Sequence, residues 1–182
     1  GALRYYQEGL DLAVETGDRG QRAMLTGNVA QIHYLRGDFA TAKRLTERSL
    51  VLAREVASDS LISGAIFSTG AVLLRLGEAE KARPHMDEAL RMVVTMGSDS
   101  AKLYSLPEYA RLRAGQGEVR EAIEWIGLAL GHPANDFLGR RYLEQVLSEI
   151  RGDLSEDEVQ AALARGAKLD LDGVINGLLE ET

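Results

Sequence analysis

Apolar residues along this chain recur every three to four positions in runs of about a dozen residues, the spacing of a helix that buries one face. Three such runs, MLTGNVAQIHYLR (24–36), AIFSTGAVLLRL (65–76) and YSLPEYARLRA (104–114), lead into Gly37, Gly77 and Gly117. Each glycine is followed by an acid, Asp38, Glu78 or Glu118, and then by a second run with the same spacing. A glycine suits the left-handed residue that closes one helix, and an acid suits the positive end of the next. The pattern predicts helical hairpins. Between them, TGDRG, ASDS and GSDS supply the breaks, with Asp59 and Asp99 as the expected N-caps.

The hairpins share one register. The glycines stand 40 residues apart, and the same offset superposes Ala42, Ala82 and Ala122, then Ser49, Ala89 and Ala129, then Leu50, Leu90 and Leu130. Seven residues before each glycine come Ala30, Gly70 and Ala110. Small side chains are expected where two helices touch closely, and leucines where a core is filled. An internal period of this size indicates tandem supersecondary units, each too small to bury its apolar face alone. Extended backwards, the period pairs Ala2 with Ala42 and Leu10 with Leu50, so residues 1–15 read as the second helix of a unit whose first helix is absent. The expectation is a piece of a longer protein. Forwards the register fails, since the next glycine would be residue 157, an aspartate. ANDFLGRRYLEQVLSEIRG (134–152) reads as one long helix, SEDEVQAALARG as another with the capping box Ser155 to Glu158, and DLDGVINGLLEE as a last one capped by Asp170.

A small residue, glycine seven on, alanine five on and an Ala-Leu pair seven further resembles the tetratricopeptide repeat, stretched here to 40 residues. The resemblance covers residues 23–130 and departs at the first-helix aromatic positions, filled by Thr26, Ile66, Leu106, His33, Leu73 and Arg113. It implies an all-α fold, a right-handed superhelix of antiparallel helical hairpins closed by C-terminal capping helices. The expected division is 1–20 as the second helix of a truncated repeat, 21–60, 61–100 and 101–133 as repeats, and 134–182 as the capping helices. The tail LARGAKLDLDGVINGLLEE is similar to the C-terminal repeat region of large bacterial signalling and transcription regulators that carry a nucleotide-switched ATPase.

Composition narrows the chemistry. Hydrophobic residues make up 45% and charged residues 27%, with 3 prolines, which is a folding composition and not a disordered one. No cysteine is present, which excludes disulfides, a cysteine nucleophile and thiolate metal sites. The formal charge of -7 opposes direct binding of nucleic acid. No apolar run reaches the roughly 20 residues that cross a bilayer, and GALRYYQEGL lacks a signal-peptide pattern, so a cytoplasmic location is expected.

Candidate sites are few. His33, His85 and His132 have no second ligand at metal spacing within one element and read as structural. A calcium loop through Gly173 would need carboxylates where Lys168 and Leu179 stand. The acids of SEDE read as a solvated helix start, and Trp125 as core rather than a ligand platform. No serine-nucleophile, phosphate-loop or dinucleotide motif appears, so neither an enzyme nor a cofactor is expected.

The resemblance itself implies a binding surface. In that family the first helices line a concave groove, and the groove positions here are Gln31, Tyr34, Phe67, Leu74, Arg75, Tyr104 and Arg111. They suit a protein or peptide ligand, apolar with some acid, with Tyr34, Phe67, Tyr104 and Arg111 partly exposed; the alternative is burial under the C-terminal helices or neighbouring repeats. The clamp that some relatives use on a C-terminal carboxylate is not expected, because Gly27, Gln31, Ser68, Tyr104 and Glu108 occupy its positions. The reading is a protein-interaction or sensor module of a larger bacterial regulator, its partner a protein, a peptide or other domains of the parent chain. A purely structural or self-associating array is the alternative.

Overall fold

The computed structural model describes residues 1–135 and 137–181; the side chains of Ala2, Phe137 and Leu138 fall outside that description. Ten helices and no strands are present among the described residues. The chain divides into two compact units, 1–95 and 96–182.

The first unit holds α1 (Ala2–Glu15), α2 (Arg19–Leu35), α3 (Phe39–Glu55), α4 (Asp59–Arg75) and α5 (Ala79–Met96). Helix α2 packs on α1, α3 and α4. Ala23, near the start of α2, meets Leu52 and Ala53, near the end of α3, with Leu61 and Ile62 of α4 against them. The hydroxyl of Ser49 donates to the Ala23 carbonyl at 2.8 Å, so α2 and α3 are antiparallel. The same holds for α4 and α5, where a Cβ on Gly70 would lie 2.7 Å from Met86 Cγ and 3.0 Å from the Ala82 carbonyl oxygen. Only glycine permits that approach.

The second unit holds α6 (Asp99–Gly115), α7 (Val119–Gly131), α8 (Phe137–Ile150), α9 (Glu156–Gly166) and α10 (Leu171–Glu180). Helix α6 packs on α7, α8 and α10, and α7 on α8 and α9. Helices α7 and α9 approach most closely at two glycines, each against the other helix's backbone: a Cβ on Gly127 would lie 2.4 Å from the Leu163 carbonyl oxygen, and one on Gly166 only 1.9 Å from that of Glu124. Arg120 and Glu158 at 2.7 Å, and Arg165 and Glu124 at 2.7 Å, add ion pairs to the same helix pair.

The inward frame of the hairpins follows the 40-residue register. Ala42, Ala82 and Ala122 are all 0% exposed, and Ala30, Gly70, Ala110, Ser49, Ala89 and Ala129 are all buried. Of the three leucines only Leu90 is fully enclosed; Leu50 and Leu130 are half-buried. Gly37, Gly77 and Gly117 have φ of 78°, 80° and 95°, as the left-handed helix closure requires. A second series lies between the hairpins, at Gly17, Ala57 and Gly97 with φ of 71°, 50° and 67°. The two series interleave, so from residue 17 to residue 117 the chain turns every 20 residues.

The caps refine the expected starts. Asp38 accepts from the Thr41 amide at 3.1 Å, and Asp170 from that of Gly173 at 2.7 Å, as N-caps do. Ser155 and Glu158 form the expected capping box. Asp59 and Asp99, however, are not the caps. Ser58 and Ser98, one residue earlier, accept from Leu61 and Ala101, while each aspartate occupies the first helical position, where it still meets the positive helix end. The helix expected over 134–152 begins at Phe137, and Asp136 lies outside the described residues. The pairing of Ala2 with Ala42 likewise rests on a side chain outside the description.

Candidate functional site

The seven expected groove positions divide between the two units. In the first unit, Tyr34 closes α2 and Phe39 opens α3, so the short connection between those helices brings their rings together, edge to face at 5.7 Å. The guanidinium of Arg75, at the end of α4, lies 5.3 Å over the Phe39 ring. Two of the expected residues therefore meet through a third residue, the aromatic Phe39, that the sequence reading passed over. Its signal was present: Phe39 follows the capping acid where the other windows place Ala79 and Val119.

Partial exposure was expected of Tyr34 and Phe67, and the structure overturns it, since each is only 7% exposed. The cause lies in α4, which is apolar on nearly every side and buried from Ala65 through Leu73 except at Ser68. Phe67 has no open face on such a helix. Tyr34 is folded over the hairpin end, where covering an aromatic ring contributes about 1.5–3 kcal/mol. Gln31, Leu74 and Arg75 are half-buried.

In the second unit Tyr104, Glu108 and Arg111 fall at i, i+4 and i+7 on α6 and share one face. Arg111 was also expected to be partly exposed, yet its side chain is 8% exposed and held on three sides. It donates to Glu108 at 2.8 Å, to the Tyr142 hydroxyl at 2.7 Å and to Glu149 at 2.9 Å. Tyr142 in turn donates to Glu108, so α8 is bolted to α6 through a shared carboxylate. Burial under the C-terminal helices is thus the outcome for Arg111. The Glu108 and Arg111 spacing was visible in the sequence, but Tyr142 and Glu149 lie 31 and 38 residues beyond Arg111, with no local pattern tying them to it.

Tyr104 is different, being 52% exposed. Desolvation first, and the nearby Glu108 carboxylate second, push its hydroxyl up to about 12. Lys102, two residues earlier, is 7% exposed and bridges Asp172 of α10 at 2.6 Å and Asp99 at 2.9 Å. The hydrogen bonds it donates to Asp172 first and then to Asp99 hold its ammonium above the ordinary lysine range.

Other sequence candidates have structural partners. His33 Nδ1 is 3.0 Å from Asp38, His85 Nδ1 is 3.0 Å from the Lys81 carbonyl, and His132 Nδ1 accepts from the Ala134 amide at 3.2 Å. Trp125 is 5% exposed, beneath the Arg113 guanidinium at 5.1 Å. Arg113, at a position the repeat pattern would bury, is neutralised by Glu121 at 3.0 Å and by Glu181. In the first unit Arg83 meets both oxygens of Asp87, itself 0% exposed, at 2.9 Å. Among the described residues no three His, Cys, Asp or Glu are grouped to hold a metal, and no helix is long and apolar enough to cross a membrane. No protein-family model and no curated protein matches the chain.

Proposed function

We propose that the chain is a tetratricopeptide-type protein-interaction or sensor module of a larger bacterial signalling or transcription regulator, and not an enzyme. The observation that carries the reading is the recurrence of one packing frame at 40 residues: alanines with no exposure at 42, 82 and 122, and left-handed glycines at 37, 77 and 117. Hairpins built on one frame gain by stacking, which favours the right-handed superhelix that the sequence resemblance implies. Arrays of this kind offer helix faces to a partner. In the second unit the half-open ring of Tyr104, and separately in the first unit the Arg75 guanidinium, have the chemistry of interface anchors, each suited to a peptide or helix that is apolar with some acid. The charges of the Glu108 and Arg111 cluster are spent on one another, which favours a rigid support over an acid-base centre. The reading carries a cytoplasmic location with it.

A second reading, self-association, is favoured by Tyr5 and Leu12, 74% and 59% exposed and seven residues apart on α1. Sedimentation as a function of concentration separates the two.

The test is selection of a displayed peptide library on the purified chain, followed by affinity measurement. Tyr104→Ala is expected to weaken the selected peptides about tenfold, roughly 1.4 kcal/mol, with an unchanged thermal melt. Failure to select any peptide, or selected peptides indifferent to Tyr104→Ala and Arg75→Ala, removes the reading. Turnover in a hydrolase or transferase screen overturns the non-enzymatic part.

A further inference from the structure

We propose that the exposed face of α3 docks an acidic, amphipathic protein segment, a surface separate from the positions considered above and independent of whether they bind. Arg44, Arg48, Val51 and Arg54 follow one another at helical spacing on that face, and all four are exposed. The three arginines have no hydrogen-bond or ion-pair partner among the described residues. That sets them apart from Arg83, Arg111, Arg113, Arg120, Arg151 and Arg165, each held by a carboxylate. Val51, between them, is 57% exposed.

The fold does not demand this face. The 40-residue frame fixes the inward positions of α3, whereas the corresponding outward positions of α5 are Pro84, Glu88, Arg91 and Val94, and those of α1 are Arg4, Glu8, Asp11 and Val14. The run of arginines is therefore particular to α3. Nor does it reflect a basic surround: residues 1–95 carry 12 basic and 12 acidic residues, and residues 96–182 carry 9 and 16.

Charge complementarity selects the partner. Unpaired guanidinium forks match carboxylates in bidentate geometry, and Val51 between them calls for an apolar side chain rather than water. Glu47 and Glu55 lie on the same face, paired with Lys43 at 2.6 Å and Arg19 at 3.6 Å. Two carboxylates there repel the continuous phosphate of nucleic acid or an anionic membrane, but are tolerated by a protein helix whose acids can be spaced between them.

The experiment uses fluorescence anisotropy with a labelled synthetic helical peptide that carries glutamates one turn apart around a leucine. Saturable, salt-sensitive binding is expected, weakened about tenfold by R44E/R48E and by replacing the peptide's leucine with serine, with Val51→Asp acting in the same direction. Arg91→Glu on α5 is the control and leaves binding unchanged. All of these side chains are exposed, so the melts stay near that of the parent; should R44E/R48E fail to fold, R44Q/R48Q carries the same prediction with a smaller loss. The proposal is overturned if the peptide does not bind, if binding is indifferent to R44E/R48E, or if a DNA duplex or phosphatidylserine vesicles bind more tightly than the peptide.

Discussion

Gly166→Ala tests the close crossing of α7 and α9. The added methyl carbon would lie 1.9 Å from the Glu124 carbonyl oxygen and 2.6 Å from its carbon. Nothing at that spot can rotate away, because both atoms are backbone in the interior of a helix. A carbon and an oxygen rest at about 3.3 Å, so the helices must part by more than about 1 Å, and gaps of that size forfeit a quarter to a half of the dispersion energy of the contacts they open. Ile123 and Ile126 of α7 and Val159 and Ala162 of α9, none more than 1% exposed, are in the cores of the two helices concerned. Overpacking costs typically about 1–3 kcal/mol, and a backbone obstacle places this case at the upper end. Against it stands the helix preference of alanine over glycine, at most about 1 kcal/mol and less at the last residue of α9. The net expectation is a loss of about 2–3 kcal/mol. For a chain of this length that lowers the thermal midpoint by about 5–10 °C. Differential scanning calorimetry reads it, with Gly64→Ala as the partner measurement. Gly64 is exposed within α4 and a Cβ there meets nothing within 4 Å, so that substitution should raise the midpoint slightly. A Gly166→Ala midpoint within about 1 °C of the parent would refute the steric argument.

Further outcomes follow from the same geometry. Ala82→Leu and Ala122→Leu, at positions with no exposure, should each cost about 1–3 kcal/mol in chemical denaturation, and unchanged midpoints would show that these are not the closest helix contacts. Ala57→Gly should stabilise the chain by about 1 kcal/mol, because Ala57 holds φ 50° at an exposed turn where its counterparts are glycines; a lowered melt would contradict this. Arg111→Ala should cost about 3 kcal/mol by stranding Glu108, 3% exposed, whereas Tyr104→Ala, on the same face but 52% exposed, should leave the melt nearly unchanged. Glu158 is lowered to about 2, first by the Ser155 amide and then by Arg120. A depressed carboxylate stabilises above its unfolded pKa, so this contribution is complete above pH 4.5 and is lost as pH falls towards about 2. A carbon-detected NMR titration of Glu158 that returned an ordinary glutamate value would remove it.

Sequence periodicity made the hairpins legible because their causes are local or strictly repeated. A left-handed closure needs a glycine at one place, and a close helix contact needs an alanine at another, so Gly77 and Ala82 announced themselves. The caps were one residue out at Ser58 and Ser98 because a serine followed by an aspartate offers two good candidates, and only the backbone turn decides between them. The expected surface was less legible for a physical reason. Whether an aromatic on a first helix is open depends on how many neighbours that helix acquires, and α4 acquires enough to enclose Phe67. The same limit hid the bolt through Tyr142, since a hydrogen bond across 31 residues leaves no spacing to count. The crossing at Gly127 and Gly166 belongs to this class too: each glycine looks ordinary alone, and only the backbone it meets on the other helix, at Leu163 and at Glu124, gives it meaning.

The turns at residues 17, 37, 57, 77, 97 and 117 have a consequence for how such a chain can change its length. One residue inserted into α3 would rotate everything after it by about 100° around the helix axis and carry the following contact positions away from their neighbours. Removing residues 58–97 as a block would instead join Ala57 to Ser98-Asp99-Ser100, the same tripeptide as the Ser58-Asp59-Ser60 that follows Ala57 now. Every cap at the new junction would already be in place. The increment by which this polypeptide can lengthen or shorten is the whole arm between turns, taken in pairs, which makes duplication and excision of entire hairpins its natural mode of variation.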